Sequence, residues 1–292
     1  MINLNQLANL TLQPICTTTG NQIGWHATLN SKKRIAHAGG TSNSRDTAIR
    51  IALAEYIERI TFNNVFNRTN IYKEFNLNEF PTTCGFAAGF DPQRTRFRAI
   101  CEGLERWAWS KWIDQGYHIP QVTPASIELT ELGHFFKSQF DQVHFFKKSF
   151  ELQISPTEKM NLVIGIIIGE KDNGVFAGSR VTTVNDQLWE HGLIEAYRNF
   201  RNHSYYSKYP DQRDTKNIVA LRSDFFANNK ESAFAQIPGF LSSNKINPTP
   251  WPEPQLRLLK QAPTEIEGAY LWRCLMHDFI GWDKGAIERF VY

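Results

Sequence analysis

The sequence lacks the marks of secreted, membrane-spanning and zinc-binding proteins. Its four cysteines include no C-x-x-C pair and no short metal-ligand spacing, so we expect buried, reduced thiols in a cytoplasmic protein. The N-terminus has no cationic start followed by an apolar run, and we expect no signal peptide. The longest apolar run, NLVIGIIIG at residues 161–169, is far too short to span a bilayer and predicts a buried strand.

Concentrated charge and the common nucleotide motifs are also missing. The net charge is only +3, from 32 basic and 29 acidic residues, and no run of five like charges occurs. A nucleic-acid-binding surface is therefore not predicted. The chain has no P-loop, no dinucleotide-binding fingerprint and no Ser-His-Asp order. Since no low-complexity linker divides it, we expect one compact domain over residues 1–292.

Alternating and apolar stretches predict the strands of a mixed α/β protein. GWHATLN and RIAHAGG, separated only by Ser31, Lys32 and Lys33, predict a hairpin. TTCGFAAGF is either a small-residue loop or a strand. Four further strand predictions are VHFFKKSFEL, NLVIGIIIG, GVFAGSRVTT and, near the end of the chain, EGAYLWRCLMHDF.

Capping residues predict three helices between these strands. Ser44 is suited to cap the first helix. Asp91 followed by Pro92 is typical of the start of the second, because proline tolerates the first helical position. The third helix is predicted to begin near Asn185. The polar and aromatic stretch from 205 to 254 has no clear pattern and stays unassigned.

Two of the predicted helices contain the same triplet, Glu-x-x-Glu-Arg. Residues three and four apart lie on one face of a helix, so each triplet projects two carboxylates and one guanidinium together. Both triplets lie inside apolar runs, IALAEYIERI and AICEGLERWAW. The members of the two triplets are Glu55, Glu58, Arg59, Glu102, Glu105 and Arg106.

The triplets belong to a weak internal repeat of strand, small-residue turn and helix. The turns are HAGGTS, GFAAGF and VFAGSR. The distance from predicted cap to acid is eleven residues from Ser44 to Glu55 and from Asp91 to Glu102, and ten from Asn185 to Glu195. The third helix thus contributes a fifth acid.

Several carboxylates in apolar surroundings predict a bound cation. A single triplet is usually a solvated helix face, and that interpretation remains an alternative here. However, buried acids in this number need compensating positive charge. Mg²⁺ prefers oxygen ligands and keeps positions open for phosphate oxygens, which arginine can bind with two hydrogen bonds.

Three segments of the sequence resemble the YcaO family, ATP-dependent enzymes that activate backbone amides of peptides. They are AGGTSNSRDTAIRIALAEYIERITFNN, GFAAGFDPQRTRFRAICEGLERWAWSKW and GVFAGSRVTTVNDQLWEHGLIEAYRNFR. The resemblance covers roughly residues 24–115 and 160–205. It implies a YcaO-like α/β fold in which helices carrying glutamates converge on a nucleotide site that holds ATP and Mg²⁺.

The resemblance also assigns candidate site residues. Those that match the family's metal-binding acids are Glu55, Glu58, Glu102, Glu105 and Glu195. Arg106 matches an arginine near the phosphates and is the candidate catalytic residue. The other candidates for nucleotide binding are Ser42, Thr83, Gly85, Gly89, Arg59 and Arg198.

This chain departs from the family pattern at three of its turn and helix positions. Gly39 stands where the first turn often has lysine, Phe90 replaces an asparagine at the end of the second turn, and Arg198 replaces a glutamine in the third segment. The proline-rich tail of many azoline-forming members is also missing. These departures put the details of nucleotide contact in doubt.

The resemblance implies an enzyme that phosphorylates a peptide amide oxygen and yields an azoline, a thioamide or an amidine. It also implies a peptide substrate, a partner protein for leader-peptide recognition and, as an option, a homodimer, with no nucleic acid or membrane involved. Two alternatives stay open. One is a scaffold that has lost turnover, and the other is an unrelated Mg²⁺-dependent phosphate enzyme.

Overall fold

The computed structural model divides the chain into two compact units. The first consists of Met1–Gly103 and Arg257–Leu275, and the second of Leu104–Leu256 and Met276–Tyr292. The residues that the structure describes are 8–31, 37–66, 70–183, 188–212, 218–264 and 266–290. Each unit is treated by itself below, and the expectation of one domain over residues 1–292 stays a prediction.

The first unit opens with an antiparallel sheet covered by a helix. Strands β1 (Ala8–Cys16), β2 (Gln22–Ser31) and β3 (His37–Ser42) pair in chain order, and helix α1 (Arg45–Thr61) packs on β3. The pairing of β2 with β3 confirms the predicted hairpin, although its connection at 32–36 lies outside the described residues. Strand β1 was not predicted.

Helices α1 and α2 begin where their capping residues predict. The Ser44 hydroxyl accepts a hydrogen bond from the Thr47 N–H, and the Asp91 carboxylate accepts one from the Arg94 N–H at 2.8 Å. Helix α2 spans Pro92–Trp109. One turn of π-helix extends each of them, at Phe62–Phe66 and Ser110–Asp114.

A second sheet in the first unit joins distant parts of the sequence. Its strands are β4 (Phe86–Gly89), β8 (Leu256–Ala262) and β9 (Tyr270–Met276), in the order β4-β9-β8. The sequence had left TTCGFAAGF open between loop and strand, and its second half is β4. Strand β9 confirms the strand predicted near the end of the chain, whereas β8 was missed.

The buried residue Arg273 ties β9 to the loop that precedes β4. Its guanidinium is fully buried and donates to the carbonyl oxygens of Phe75, Phe80, Thr82 and Cys84. Desolvation lowers its pKa to about 10, but four carbonyl acceptors still compensate the charge. The loop leading into the second glycine-containing turn is therefore fixed by one side chain.

The second unit is built on a three-stranded antiparallel meander. Strands β5 (Gln142–Ser155), β6 (Glu158–Lys171) and β7 (Gly174–Thr182) pair in chain order, which confirms the three consecutive strand predictions. Helix α4 (Leu188–Lys208) packs on β7 and β6. The predicted start of this helix, Asn185, lies outside the described residues.

Three short helices complete the second unit. They are α3 (Glu131–Lys137), α5 (Ile218–Phe226) and α6 (Lys230–Phe234); the last two lie in the stretch that the sequence left unassigned. Within the described parts of the chain, no helix is both long and apolar enough to cross a bilayer. Cys84, Cys101 and Cys274 are buried as predicted, but Cys16 is exposed, because it ends strand β1 at the edge of its sheet.

The two adjacent glycines of β3 have different packing, which allows a matched test. A methyl group on Gly40 would lie 2.1 Å from the Ala48 carbonyl oxygen and 2.6 Å from the Ala52 nitrogen, whereas on Gly39 its nearest neighbour is a His26 side-chain atom at 3.3 Å. The backbone of α1 cannot move aside, whereas the imidazole of His26 can rotate. We expect Gly40→Ala to lower the free energy of unfolding by about 1–3 kcal/mol or more, the usual range for overpacking.

Urea unfolding followed by circular dichroism measures this difference, with Gly39→Ala as the matched control that loses clearly less. Equal losses in the two variants would show that α1 does not pack against β3 through Gly40.

Candidate functional site

The acid Glu55 links helix α1 to strand β3. Its carboxylate accepts a hydrogen bond from the backbone N–H of Gly39 at 3.0 Å and lies 2.5 Å from the guanidinium of Arg59, one turn along the helix. Arg59 also donates to the carbonyl oxygen of His37. Two of the predicted site residues, Glu55 and Arg59, are therefore together, and both also contact the strand.

The carboxyl group of Glu58 has a strongly shifted pKa. Burial raises the pKa of its carboxyl well above the ordinary value, and the neighbouring charges of Glu102 and Glu55 raise it further, while Arg59 and Arg98 act in the opposite direction. The arginines do not fully compensate. The first unit thus brings three of the five predicted acids within electrostatic reach of one another.

Glu105 and Arg106 lie at the part of α2 that belongs to the second unit. Glu105 is 6% exposed, and its carboxylate lies 3.9 Å from the guanidinium of Arg106. That guanidinium is also placed over the ring of Trp282, 5.0 Å from its centroid. Trp282 was not singled out by sequence analysis, because nothing in its local sequence shows which helix its ring will meet.

Glu195 and Arg198 lie one turn apart on α4, and both are partly exposed. The carboxylate of Glu195 accepts a hydrogen bond from the backbone N–H of Ser179 in β7 at 2.8 Å. The donor precedes the acid by sixteen residues, as Gly39 precedes Glu55 in the first unit. This constant offset of sixteen residues agrees with the internal repeat. It is present in the sequence, but the distances from cap to acid do not reveal it.

The predicted turn residues have local partners of their own. The Ser42 hydroxyl donates to the Asn43 side chain at 3.2 Å and accepts from the Ser44 N–H at 3.3 Å. The carbonyl oxygen of Thr83 accepts from the N–H of Phe86 at 3.0 Å. These contacts hold the two turns in shape, and contact with a nucleotide remains a prediction for both hydroxyls.

The glycines of the second turn are explained by packing. Gly85 has a positive φ of 79°, and a methyl group there would lie 1.9 Å from the carbonyl oxygen of Cys274. A methyl group on Gly89 would lie 2.6 Å from the hydroxyl oxygen of Thr95. Both positions therefore require glycine whether or not a nucleotide approaches them, so the glycines by themselves do not indicate a phosphate loop.

The acids of the first unit fit a magnesium ion that is completed by ligands from outside the protein. Among the described residues, no group of three or more His, Cys, Asp and Glu side chains has the arrangement of a metal site. Mg²⁺, however, is usually held by one or two carboxylates together with water and substrate phosphates. Glu58 and Glu102, whose mutual repulsion raises the pKa of Glu58, are a donor pair of this kind.

One Ser-His-Asp hydrogen-bond chain exists that the sequence order did not reveal. Ser207 lies 3.3 Å from Nε2 of His203, and Nδ1 of that histidine lies 3.1 Å from Asp224. The Ser207 hydroxyl also donates to the carbonyl of His203 at 2.9 Å, and it lies in the last turn of α4. The negative end of the helix dipole opposes an oxyanion there, so the geometry does not support a hydrolase.

Comparison with solved structures identifies the fold. A chain of the E. coli microcin synthetase McbBCD complex with pro-MccB17 bound matches over 91% of this chain and 86% of its own length, with a TM-score of 0.59 and 11% identity. A heterocyclase in complex with substrate and cofactor matches over 94% of this chain but only 50% of its own length, with a TM-score of 0.58 and 10% identity. No protein-family model matches the sequence, and no curated protein matches it either.

The chain therefore shares the fold of both matched structures, and the expected α/β fold is confirmed. At 10 to 11% identity the likeness shows the fold alone. The roles of individual residues have to be argued from their own contacts.

The repulsion between Glu58 and Glu102 gives a prediction for the metal-free protein. Because the pKa of Glu58 is raised in the folded state, Glu58 favours folding most when it is protonated. Its contribution to the free energy of unfolding is complete below the ordinary glutamate pKa and is lost as the pH rises through the pKa of the folded state. Glu102→Gln removes one cause of the rise. In excess chelator at neutral pH, we expect this variant to be more stable than the wild type by about 0.5–1 kcal/mol, a small value because Glu102 is only partly buried.

The measurement is urea unfolding at several pH values, with Glu253→Gln at an exposed position as the control that changes nothing. The gain should shrink towards zero as the pH falls below the ordinary glutamate pKa. A Glu102→Gln variant that is less stable than the wild type would show that Glu102 is a structural partner of a base.

Proposed function

We propose that this chain uses Mg²⁺ and ATP to activate backbone amides of a peptide by phosphorylating the amide oxygen. The fold supports the proposal, because one similar structure has pro-MccB17 bound and the other is a heterocyclase with substrate and cofactor. This similarity supports a role in the modification of ribosomally made peptides. The product class, whether azoline, thioamide or amidine, depends on which nucleophile adds to the amide carbon.

The observation that carries the proposal is the raised pKa of Glu58 beside two further acids. Burial and the charges of Glu102 and Glu55 oppose its ionisation even though Arg59 and Arg98 are near. A divalent cation would remove this penalty, and the phosphate oxygens of ATP would be its remaining ligands.

In this proposal Glu58 and Glu102 hold the metal ion in the first unit, with Glu55 beside them. Bound Mg²⁺ would neutralise charge on the phosphates of ATP during transfer. Glu105 and Glu195 of the second unit keep their proposed metal-binding roles, and Arg106, Arg59 and Arg198 are the proposed phosphate contacts. The residues contribute positioning and charge, which is the main part of catalysis in phosphoryl transfer.

The chemical step transfers the amide oxygen from the peptide to inorganic phosphate. A nucleophile adds to the amide carbon, and the resulting oxyanion attacks the γ-phosphorus of ATP with ADP as the leaving group. The C–O bond then breaks and releases inorganic phosphate that contains the former amide oxygen. Capture of the peptide by a partner protein that recognises its leader is part of the same proposal.

A catalytically inactive scaffold is the second candidate, and two observations favour it. Glu55 is already occupied by Arg59 and by the Gly39 N–H, so it has less capacity left for a metal. Phe90, which replaces a family asparagine, is 50% exposed, a position at which an apolar side chain offers a nucleotide no hydrogen bond. A scaffold of this kind would bind peptide without consuming ATP.

Isotope transfer distinguishes the two candidates. Peptides rich in Cys, Ser and Thr, with ¹⁸O in their backbone carbonyls, are incubated at high concentration with the protein, ATP and Mg²⁺. We expect inorganic phosphate that carries one ¹⁸O atom, detected by mass spectrometry, because the amide oxygen leaves with the phosphoryl group. Glu102→Gln should lower the yield at least tenfold, whereas Glu253→Gln keeps it.

Phosphate without ¹⁸O would identify an ATP hydrolase that uses water, and the amide-activation proposal would then be wrong. No phosphate at all, together with peptide binding, would support the scaffold.

A further inference from the structure

The C-terminal part of the second unit surrounds Arg106, the proposed phosphate contact, with aromatic and cationic side chains. Trp282 is 5% exposed, and its ring lies 5.0 Å from the guanidinium carbon of Arg106 and 5.8 Å from that of Arg289. A cation over an aromatic face is attracted by the ring quadrupole. This contact uses none of the N–H donors of the guanidinium, so it can orient Arg106 without occupying the groups that would bind phosphate.

The backbone on both sides of Trp282 is held by a second buried arginine. Arg222 of α5 is fully buried and donates to the carbonyl oxygens of Trp282, Lys284 and Ala286. Three bonds from one planar group to alternating residues leave this segment little freedom to shift. Burial lowers the pKa of Arg222, and the nearby charge of Arg289 lowers it further. The three hydrogen bonds of Arg222 therefore form at a cost in desolvation of its guanidinium.

Arg289 closes the same segment from the other side. Its guanidinium forms two bonds to the carboxylate of Asp114, which follows α2 in the chain, and it donates to the carbonyl oxygen of Gly281 at 2.7 Å. Asp114 and Arg106 both belong to the α2 end of the second unit, so the segment is tied to the same helix on which Arg106 lies. The next residue, Phe290, is fully buried.

We propose that residues 279–290 form a brace that positions Arg106 through the ring of Trp282. Trp282 is a positioning residue, because it contacts Arg106 and acts on the phosphate only through it. The inference rests on the proposed function, since it concerns how the arginine is presented to ATP. It also assigns residues 279–290 a role in the site, which the sequence analysis did not predict.

The brace makes a specific prediction about coupling. Arg106→Ala should lower kcat for peptide-dependent phosphate release about 100-fold, as expected for loss of a charge-stabilising donor. Trp282→Leu should lower it about tenfold through misplacement of Arg106, and Trp282→Phe should retain most of it. The double variant should be no slower than Arg106→Ala alone, because Trp282 has no effect once the arginine is gone.

The control and a second measurement separate this inference from a general loss of structure. Trp251 lies in the same unit with its ring 5.2 Å from the ammonium of Lys148, so Trp251→Leu removes an equivalent contact that does not involve Arg106. It should add its effect to that of Arg106→Ala. Equilibrium binding of a non-hydrolysable ATP analogue with Mg²⁺ should weaken about tenfold in Trp282→Leu and remain unchanged in Trp251→Leu.

If Trp282→Leu and Arg106→Ala multiply their effects in the double variant, or if Trp282→Leu binds the analogue as the wild type does, the brace is wrong while the proposed function stands. A wild-type protein that neither binds the analogue nor releases phosphate would overturn the proposed function, and the inference with it.

Discussion

The repulsion between carboxylates on α1 and α2 is the constraint on which the account of the site depends. Burial and two neighbouring acids all disfavour the charged form of Glu58. Natural proteins rarely leave such a penalty without a use, since converting one of these acids to an amide would remove it. In the proposed function, a bound divalent cation would make the same arrangement favourable.

The remaining acids show how the fold supports this arrangement. In each unit a strand N–H donates to a helix glutamate sixteen residues later, from Gly39 to Glu55 and from Ser179 to Glu195. Such bonds need close contact between strand and helix. The side-chain-free positions Gly40 and Gly178 permit it, because a methyl group on either would lie within 2.2 Å of a helix carbonyl oxygen. The small-residue turns therefore serve helix packing first.

Local sequence signals predicted the elements that depend on contacts between near neighbours in the chain. Ser44 and Asp91 begin their helices because their side chains satisfy free N–H groups, and this requires nothing distant. Strand β1 was missed because it contains Pro14 and is largely exposed at the edge of its sheet. The buried arginines Arg222 and Arg273 could not be predicted either, since arginine is ordinarily exposed and their carbonyl acceptors come from remote loops.

The central claim is that the acids of α1 and α2 bind ATP through a divalent cation. Calorimetric titration of ATP into the protein, once with Mg²⁺ and once with excess chelator, tests it directly. We expect measurable binding in magnesium and an affinity at least tenfold weaker in chelator, where no divalent cation would offset the repulsion between the phosphates and the carboxylates. Equal affinity under both conditions would contradict it, because Glu58 and Glu102 could not then be metal ligands.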